Sequence, residues 1–450
     1  MIPSVQKGKR ATYPAYKPSG VEWLGEIPEH WEIRKLKYTA SVQFSNVDKN
    51  TIEGEEPVRL CNYIDVYKNE FITDDFEFMQ ATATRAEIKK FTVKQGDVII
   101  TKDSESWTDI AVPVYVVDQL RGILCGYHLA QIRAKCQILD GKYLFRAFAS
   151  KAINYQFQVA STGITRYGLG NYWLENGLLV LPPFPEQHAI AVFLDRETSR
   201  IDELITKKQR QIELLQEKRS ALISHVVTKG LDPDVKMKDS GVEWLGVIPE
   251  HWKQLAIKRL SIVKRGASPR PIDDPKYFDE DGEYSWVRIA DVTASSRYLE
   301  TTTQRLSDLG KSLSVPLSPG SLFISIAGTV GKPIIAKIKC CIHDGFVYFP
   351  QYKEDANFLY YIFASGQPYQ GLGKWGTQLN LNTDTVGWIQ FGLPPIDEQR
   401  AIAAFLDQET SRIDELIAKI TQSIDLLREY RTALISAAVT GKIDIREEVA

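Results

Sequence analysis

The chain has few cysteines and no long apolar run, and each shortage excludes a class of protein. Its 450 residues include five cysteines, Cys61, Cys125, Cys136, Cys340 and Cys341, without Cys-x-x-Cys spacing. This odd number argues against a disulfide framework and against a zinc site, so we expect no metal ligands. No segment reaches the roughly 18 apolar residues that a membrane helix needs, and the first residues do not form a signal peptide. We therefore expect a cytoplasmic protein with no membrane contact.

The chain also lacks an excess of positive or negative charge. The chain has 55 Lys and Arg residues against 57 Asp and Glu residues, a formal net charge of −2. Because nucleic-acid binders usually carry a basic excess, the overall charge gives no support for contact with DNA. Any positive surface must be local, or a partner must supply it. The length favours two to four domains, since single cores rarely exceed about 250–300 residues.

What the sequence does contain is an internal repeat. The motif SGVEWLGEIPEHW at Ser19–Trp31 returns as SGVEWLGVIPEHW at Ser240–Trp252, with 12 of 13 positions identical. Leu181–Asp232 returns at Leu393–Asp444 with 33 of 52 positions identical. The segments between these blocks, 32–180 (head 1) and 253–392 (head 2), show no extended similarity. This order predicts a pseudo-two-fold protein that carries two different heads on one repeated framework.

Each long constant segment has the pattern of a helix. Pro185 lies near the start of the first, where a proline costs little, and no Gly or Pro follows until Gly230. Apolar residues recur at alternating spacings of four and three, the seam of a coiled coil. The strongest seam positions are Leu194, Ile201, Ile205, Ile212, Leu215, Leu222, Leu406, Ile413, Ile417, Ile424, Leu427 and Leu434. About 40 residues make each helix about 60 Å long, and an antiparallel pair is the economical way to bury both seams.

Two arginines, Arg219 and Arg431, occupy equivalent positions in these seams. A charge there either fixes the register of the two helices or lies at the edge of the seam with its head group in water. A generic dimerisation coiled coil is an alternative for the helices themselves. The repeat of nearly identical helices within one chain, each after a variable head, favours a spacer between two heads.

Both heads have a mixed pattern. Strand-like runs occur at Val98–Thr101, Ala111–Val117, Gly122–Leu124, Val287–Ile289 and Leu322–Ile326, and helical runs at Tyr143–Ala149 and Ala356–Ala364. The sequence therefore predicts an α+β protein in which two α/β heads are joined by two long antiparallel coiled-coil helices.

Candidate nucleic-acid contacts lie in three short segments of the heads. Thr165, Arg166 and Tyr167 lie in a polar segment shortly before the first long helix, and Thr377, Gln378 and Asn380 lie in the corresponding segment before the second. Lys264, Arg265 and Arg270 form a local basic cluster in head 2. These side chains can reach base edges or phosphates. An ordinary turn is the alternative for each polar segment, and a solvated surface is the alternative for the basic cluster.

No catalytic motif emerges from the chain. Val330-Gly331-Lys332-Pro333 has neither the spacing of a P-loop nor the Ser or Thr that should follow its lysine. Leu181-Pro-Pro-Phe184 lacks the polar first residue that an amino-methyltransferase needs to hold its target amine. His30 and His251 lie inside the tryptophan motifs, where we expect them to pack. We expect no catalytic residues and no cofactor bound by this chain.

The repeated motifs resemble those of the specificity subunits of type I restriction–modification enzymes. The resemblance rests on the doubled Trp-Leu-Gly-x-Ile-Pro-x-His-Trp, on Leu-Pro-Pro-x-x-Glu-Gln-x-x-Ile-Ala-x-Phe-Leu-Asp, and on Arg-x-Ala-Leu-Ile-Ser-x-x-Val-Thr, and it spans nearly the whole chain. Gly376-Thr377-Gln378 fits the family's segment before the helix, whereas Gly163-Ile164-Thr165 fits it less closely.

The resemblance implies a division of labour. Each head is a target-recognition domain that reads one half of a bipartite site in double-stranded DNA, and the helix pair sets the distance between the halves. Two modification subunits supply methylation with S-adenosylmethionine, and two restriction subunits supply translocation and cleavage with ATP and Mg. A catalytic DNA methyltransferase, a half-subunit that forms a homodimer, and a scaffold with two protein-binding heads are the alternatives.

On this interpretation the chain divides into seven segments. They are an amino-terminal segment with the first tryptophan motif (1–31), recognition domain 1 (32–180), helix 1 (181–232), a linker with the second motif (233–252), recognition domain 2 (253–392), helix 2 (393–444) and a tail (445–450).

Overall fold

The computed structural model describes residues 11–370, 372 and 381–448. The chain divides into two compact units, one made of Met1–Lys208 with Gln422–Ala450 and the other of Gln209–Thr421. Each unit therefore contains one head together with part of each long helix. The predicted α+β architecture, with two heads on an internally repeated helix pair, is confirmed.

The two long helices are continuous elements, Phe184–Lys229 (the first long helix) and Ile396–Val439 (the second long helix). In the first unit, Leu194 and Ile201 of the first helix share a core with Leu434 and Val439 of the second. The start of one helix thus packs against the end of the other, and the pair is antiparallel.

The second unit shows the same arrangement with the two helices exchanged. Val226 and Val227 from the end of the first long helix share a core with Ile402 and Leu406 from the start of the second. Among the seam residues, Leu194, Ile201, Leu406, Ile413, Ile424 and Leu434 are buried, and Ile205, Ile212, Leu215, Leu222, Ile417 and Leu427 are half-buried.

Head 1 is built on two small sheets. The five-stranded sheet has the order Ala40–Phe44, Leu129–Ala134, Val98–Thr101, Pro113–Val116, Phe71–Ile72, and the three-stranded sheet has the order Ile123–Cys125, Glu56–Cys61, Met79–Ala83. The other strands of this unit are Tyr16–Pro18, Glu26–Pro28, Glu32–Lys35, Asp103–Ser104, Tyr167–Gly168 and Leu178–Leu181. Its shorter α-helices are Leu36–Thr39, Tyr63–Tyr67, Arg85–Phe91, Gly141–Ala149, Lys151–Val159 and Asn171–Asn176.

Head 2 repeats this plan. Its five-stranded sheet has the order Lys264–Arg265, Phe346–Tyr348, Leu322–Ser325, Pro333–Ala336, Tyr298–Leu299, and its four-stranded sheet has the order Gln304–Leu306, Tyr284–Val287, Cys340–Ile342, Val315–Leu317. The other strands of this unit are Met237–Asp239, Val247–Pro249, Lys253–Ala256 and Gln390–Leu393. Its shorter α-helices are Ile289–Ala294, Asp308–Ser312, Ala356–Ala364 and Thr383–Trp388.

The two five-stranded sheets share one topology although their sequences differ. In each, the last strand of the order pairs in parallel with its neighbour, as Phe71 does with Tyr115 and Tyr298 with Ile335. The other neighbouring strands of both sheets pair antiparallel. The heads are thus two versions of one domain.

Both heads begin and end at one antiparallel strand pair. Glu32–Lys35 follows the first tryptophan motif and pairs with Leu178–Leu181, which leads into the first long helix. Lys253–Ala256 and Gln390–Leu393 pair in the same way in the second unit. The chain therefore enters and leaves each head at the same place, so the residues between can differ without moving the helix.

The predicted strand Val287–Ile289 is wrong, because the run crosses from a strand into a helix. The run Val287–Ile289 is the end of a strand, Tyr284–Val287, followed by a helix that begins at Ile289. A carboxylate oxygen of Asp291 accepts a hydrogen bond from the backbone N–H of Arg288 at 2.9 Å, which caps the helix at that point. The local capping group thus ends the strand.

Candidate nucleic-acid interface

The predicted contact residues of head 1 lie in a small hairpin. Tyr167 and Gly168 pair antiparallel with Asp103 and Ser104, and Thr162 and Gly168 exchange backbone hydrogen bonds of 3.1 and 2.9 Å. Gly163 has φ +147°, and a Cβ atom there would lie 1.9 Å from the carbonyl oxygen of Arg166, so the turn requires glycine.

At the tip of this hairpin, polar side chains face the solvent. Thr165 and Arg166 are exposed, Tyr167 is half-buried, and Ile164 is 95% exposed. Among the residues that the structure describes, the side chain of Arg166 makes one hydrogen bond, in which its Nη2 atom lies 3.1 Å from Nε2 of His128. The tip is thus available to a ligand, as a contact residue must be.

The residues beneath Arg166 form a chain of polar contacts. Nδ1 of His128 lies 3.2 Å from Oδ2 of Asp103, and the same oxygen accepts from the ammonium of Lys102 at 2.5 Å. The Lys102 ammonium lies 4.7 Å from the ring centre of Tyr127, which is half exposed. Sequence reasoning missed these residues, because the segments that carry them lie far apart along the chain and none has a motif.

Head 2 has a different cluster of polar and charged side chains at the corresponding place in its fold. Lys264 and Arg265 form the edge strand of the five-stranded sheet and are exposed. Asp344 joins the basic residues: its backbone oxygen accepts from Arg265, and its carboxylate lies 3.1 Å from Arg270 and 3.0 Å from Ser268. The structure thus brings Arg265 and Arg270 together around one residue, Asp344. Thr377, Gln378 and Asn380 lie outside the described residues.

The two clusters stand at matching positions. Each cluster includes the loop that connects a strand of the smaller sheet to the strand that is second in the order of the larger sheet. His128 lies in this loop in head 1, and Asp344 lies in it in head 2. This connection therefore carries an arginine contact in each head, made by Arg166 in the first and by Arg270 in the second. The fold is shared, while the exposed groups differ.

The repeated motifs form the joint between head and helix. In Leu-Pro-Pro-x-x-Glu-Gln, the glutamine side chain of Gln187 accepts from the backbone N–H of Asp140 at 2.9 Å, and it donates to the oxygen of the proline five residues earlier at 2.9 Å. Gln399 makes the equivalent bonds with Asp355 at 3.1 Å and with its own proline at 2.9 Å. Both glutamines are buried, so these bonds fix the angle at which the helix leaves the head.

The histidines of the tryptophan motifs complete this joint. Nε2 of His30 lies 2.9 Å from a carboxylate oxygen of Glu186, and Nε2 of His251 lies 2.8 Å from Glu398. Both rings are 41–46% exposed, so they pair with the helix start instead of packing in the core. The neighbouring Trp31 and Trp252 supply the buried surface.

A second joint holds each head against its long helix. Asp195 accepts from Nη2 of Arg146 at 2.8 Å. The equivalent Asp407 accepts from the hydroxyl of Tyr361 at 2.6 Å and from Arg297. The repeat keeps the acceptor on the helix, and each head supplies its own donor.

The sequence profile described as "Type I restriction modification DNA specificity domain" matches residues 28–214 and 249–426, one copy in each half of the chain. These two matches span most of the protein. The chain belongs to this family.

The relatives agree with this assignment. The type I restriction enzyme MjaVIII specificity subunit of Methanocaldococcus jannaschii is 24% identical over 438 residues, which are 93% of this chain and 94% of that protein. The HsdS subunit from Thermoanaerobacter tengcongensis has a TM-score of 0.56 at 19% identity, covering 92% of this chain and 98% of that one. A chain from a study of complex assembly and conformational transition of the type I R-M system has a TM-score of 0.74 at 18% identity, with coverage of 92% and 98%.

These comparisons confirm the resemblance noted in the sequence, and they establish the fold of a type I specificity-domain protein. Within the described ranges, none of its helices is both long and apolar enough to cross a membrane.

Proposed function

We propose that this chain is the sequence-specific DNA-binding subunit of a type I restriction–modification complex, in which each head reads one half of a bipartite, asymmetric site. The observation that carries this proposal is a contrast between the head–helix joints and the exposed polar faces of the two heads. The head–helix joints at Gln187 and Gln399 are the same, whereas the polar faces around Arg166 and Arg270 differ. Two heads that join the helices in the same way but expose different polar side chains are suited to reading two unlike DNA sequences.

In this proposal the helix pair sets the spacing of the two half-sites, and the chain recruits catalytic partners. Leu204 and Leu416 are equivalent in the repeat and are 40% and 42% exposed, and Leu214 and Leu426 are equivalent and 48% and 58% exposed. Apolar groups exposed at repeated positions offer two copies of one partner the same contact. They support binding of two modification subunits, and the likeness to a chain studied for complex assembly of the type I R-M system supports a multi-subunit complex. We also propose two restriction subunits.

We propose that the chain itself is not an enzyme and acts in the cytoplasm. S-adenosylmethionine, ATP and Mg would bind to the partner subunits, since the repeated Asp195, Asp202 and Arg219 and their counterparts are engaged in joints between helix and head or between the two helices. Tight binding of S-adenosylmethionine by the isolated chain would overturn this part of the proposal and favour a methyltransferase.

The deciding experiment is to map methylated adenines in DNA from cells that express the chain with its modification partner. The expected result is one bipartite motif with two unlike halves and a fixed gap. Replacing residues 32–180 with another recognition domain should change one half and leave the other and the gap intact. Methylation without a motif, together with no retardation of duplex DNA by the complex, would favour a scaffold with two protein-binding heads.

A further inference from the structure

We infer that Arg166 reads a guanine in the half-site bound by head 1, and that His128 is the positioning residue that orients its guanidinium. The inference rests on the proposed function and extends it to a particular side chain and base. It comes from the contacts of Arg166 with its neighbours, which differ from those of the other candidate arginines.

The backbone at this place is firmly held. Leu169 N–H donates to the carbonyl oxygen of Lys102 at 2.8 Å, and the hairpin strand Tyr167–Gly168 pairs with Asp103–Ser104. A Cβ atom on Gly168 would lie 3.2 Å from Oδ1 of Asp103, so glycine lets the hairpin approach this carboxylate closely. The loop that carries Arg166 therefore has a fixed base beside Asp103.

The protonation of His128 follows from its two contacts. An ionised carboxylate can only accept hydrogen bonds, so Nδ1 of His128 carries the proton that points to Asp103. Nε2 then has a free lone pair, and it can accept from Nη2 of Arg166 at 3.1 Å. The contact between Arg166 and His128 thus requires the neutral tautomer that Asp103 selects.

This arrangement orients Arg166 without neutralising it. No carboxylate lies within ion-pair distance of its guanidinium among the residues described by the structure. One N–H group is used by His128, and the guanidinium fork keeps further donors for a ligand. Arg270 in head 2 differs, because its guanidinium is paired with the carboxylate of Asp344 at 3.1 Å.

The fixed orientation of the Arg166 guanidinium favours contact with a base over contact with a phosphate. A phosphate accepts a positive charge from many directions, whereas guanine presents O6 and N7 side by side and requires a planar fork in one orientation. A neutral hydrogen-bonding neighbour supplies orientation and leaves the charge available. The position of Arg166 on an exposed hairpin tip allows it to enter a groove.

The test uses the full chain in complex with its modification partner and duplexes that carry the mapped site. Each base pair of the site is replaced in turn, and the ratio of dissociation constants is measured for four variants: Arg166→Ala, His128→Ala, His128→Gln, and both alanine substitutions together. Arg270→Ala is the matched control, because it removes a similar exposed arginine from the other head. Thermal unfolding of each complex establishes that the variants are folded.

For wild type we expect one G·C pair in one half-site to be preferred by tenfold to a hundredfold, the range for a good bidentate contact. Arg166→Ala should abolish this preference and leave the other positions unchanged. His128→Ala should weaken it, and the double variant should lose no more than Arg166→Ala. His128→Gln should retain it, since the amide oxygen can accept from Arg166. Arg270→Ala should leave this position unaffected.

Two results would overturn the inference while leaving the proposed function intact. One is an equal loss of affinity for every sequence on Arg166→Ala, with a salt dependence weaker by about one charge, which indicates a phosphate contact. The other is unchanged discrimination at every position. A wild-type complex that does not prefer the mapped site over other duplexes would instead refute the proposed function.

Discussion

Arg431 lies across the helix seam from Asp202, with its Nε atom 3.0 Å from Oδ1 of that carboxylate. The repeat produces the same contact in the second unit, where Nε of Arg219 lies 3.0 Å from Oδ1 of Asp414. Both arginines thus pair with the opposite helix at a defined position. These contacts favour a role in register over a charge that merely lies at the seam edge.

The two arginines should differ in their effect on stability. Arg431 is 18% exposed and also contacts Glu70 of head 1 at 2.5 Å, whereas Arg219 is 33% exposed and its carboxylate partner is 54% exposed. We expect Arg431→Ala to cost about 2 kcal/mol, because it removes the contacts of a mostly buried guanidinium with both Asp202 and Glu70. Arg219→Ala should cost about 0.5 kcal/mol, as for an exposed pair. Urea unfolding of the two variants tests this order, and equal losses would contradict it.

The buried glutamines of the joints should matter equally in the two units. Gln187→Ala and Gln399→Ala each leave a backbone N–H and a proline carbonyl without a hydrogen bond. We expect each substitution to destabilise its unit by about 2–3 kcal/mol. Calorimetry should show a lower unfolding temperature for both, whereas Gln216→Ala, at an exposed position of the first long helix, serves as the control and should change it little.

The sequence predicts the framework of this protein far better than its heads. The seam spacing places both long helices, and Ala356–Ala364 forms the helix that its apolar run predicts. Local patterns suffice there, because helix contacts repeat every three or four residues. The shared topology of the heads depends on strand pairs distant in sequence, which no local pattern encodes. For the same reason the contact of Arg166 with His128, 38 residues away, has no sequence signal.

His343 should make the second unit sensitive to acid. Burial lowers the pKa of His343, with Asp344 opposing and Arg265 adding to the shift, and Nδ1 accepts the N–H of Gly345 at 2.8 Å, which requires a neutral ring. The unfolded chain takes up this proton near the ordinary pKa of about 6.5, whereas the folded chain takes it up at lower pH. Stability should therefore be complete above about pH 6.5 and decline as the pH falls below it.

Unfolding temperatures measured between about pH 7.5 and about pH 5 test this dependence. His343→Asn should flatten the decline, since the amide oxygen can still accept from Gly345 and does not titrate. His225→Asn removes an exposed histidine of the first long helix and serves as the control. An unchanged decline in His343→Asn would assign the effect to other groups.

Thiol reactivity should single out one cysteine. Cys136 is exposed, whereas the other four are buried. Burial raises the pKa of Cys340 and of Cys341 to about 12 each, and it also raises the pKa of Cys61 and Cys125. Because the thiolate is the reactive form, a disulfide reagent should modify one thiol quickly in the native protein and all five after denaturation. Cys136→Ser should remove the fast phase, and a second fast thiol would contradict the burial.

If the helix pair sets the spacing of the half-sites, lengthening both helices by one heptad should change only that spacing. Seven residues add about 10 Å to a helix while keeping the seam on the same face. At roughly 3.4 Å per base pair, the gap should grow by about three base pairs. The insertions belong next to Ile212 and Ile424, which are equivalent seam positions, so that Arg431 still faces Asp202 and Arg219 still faces Asp414. Methylation mapping should then give both original half-sites with a longer gap.

A heptad in one helix alone places the two seams out of register and serves as the control, which should lose site-specific methylation. Altered half-sites in the doubly lengthened protein would mean that the helices take part in reading the bases.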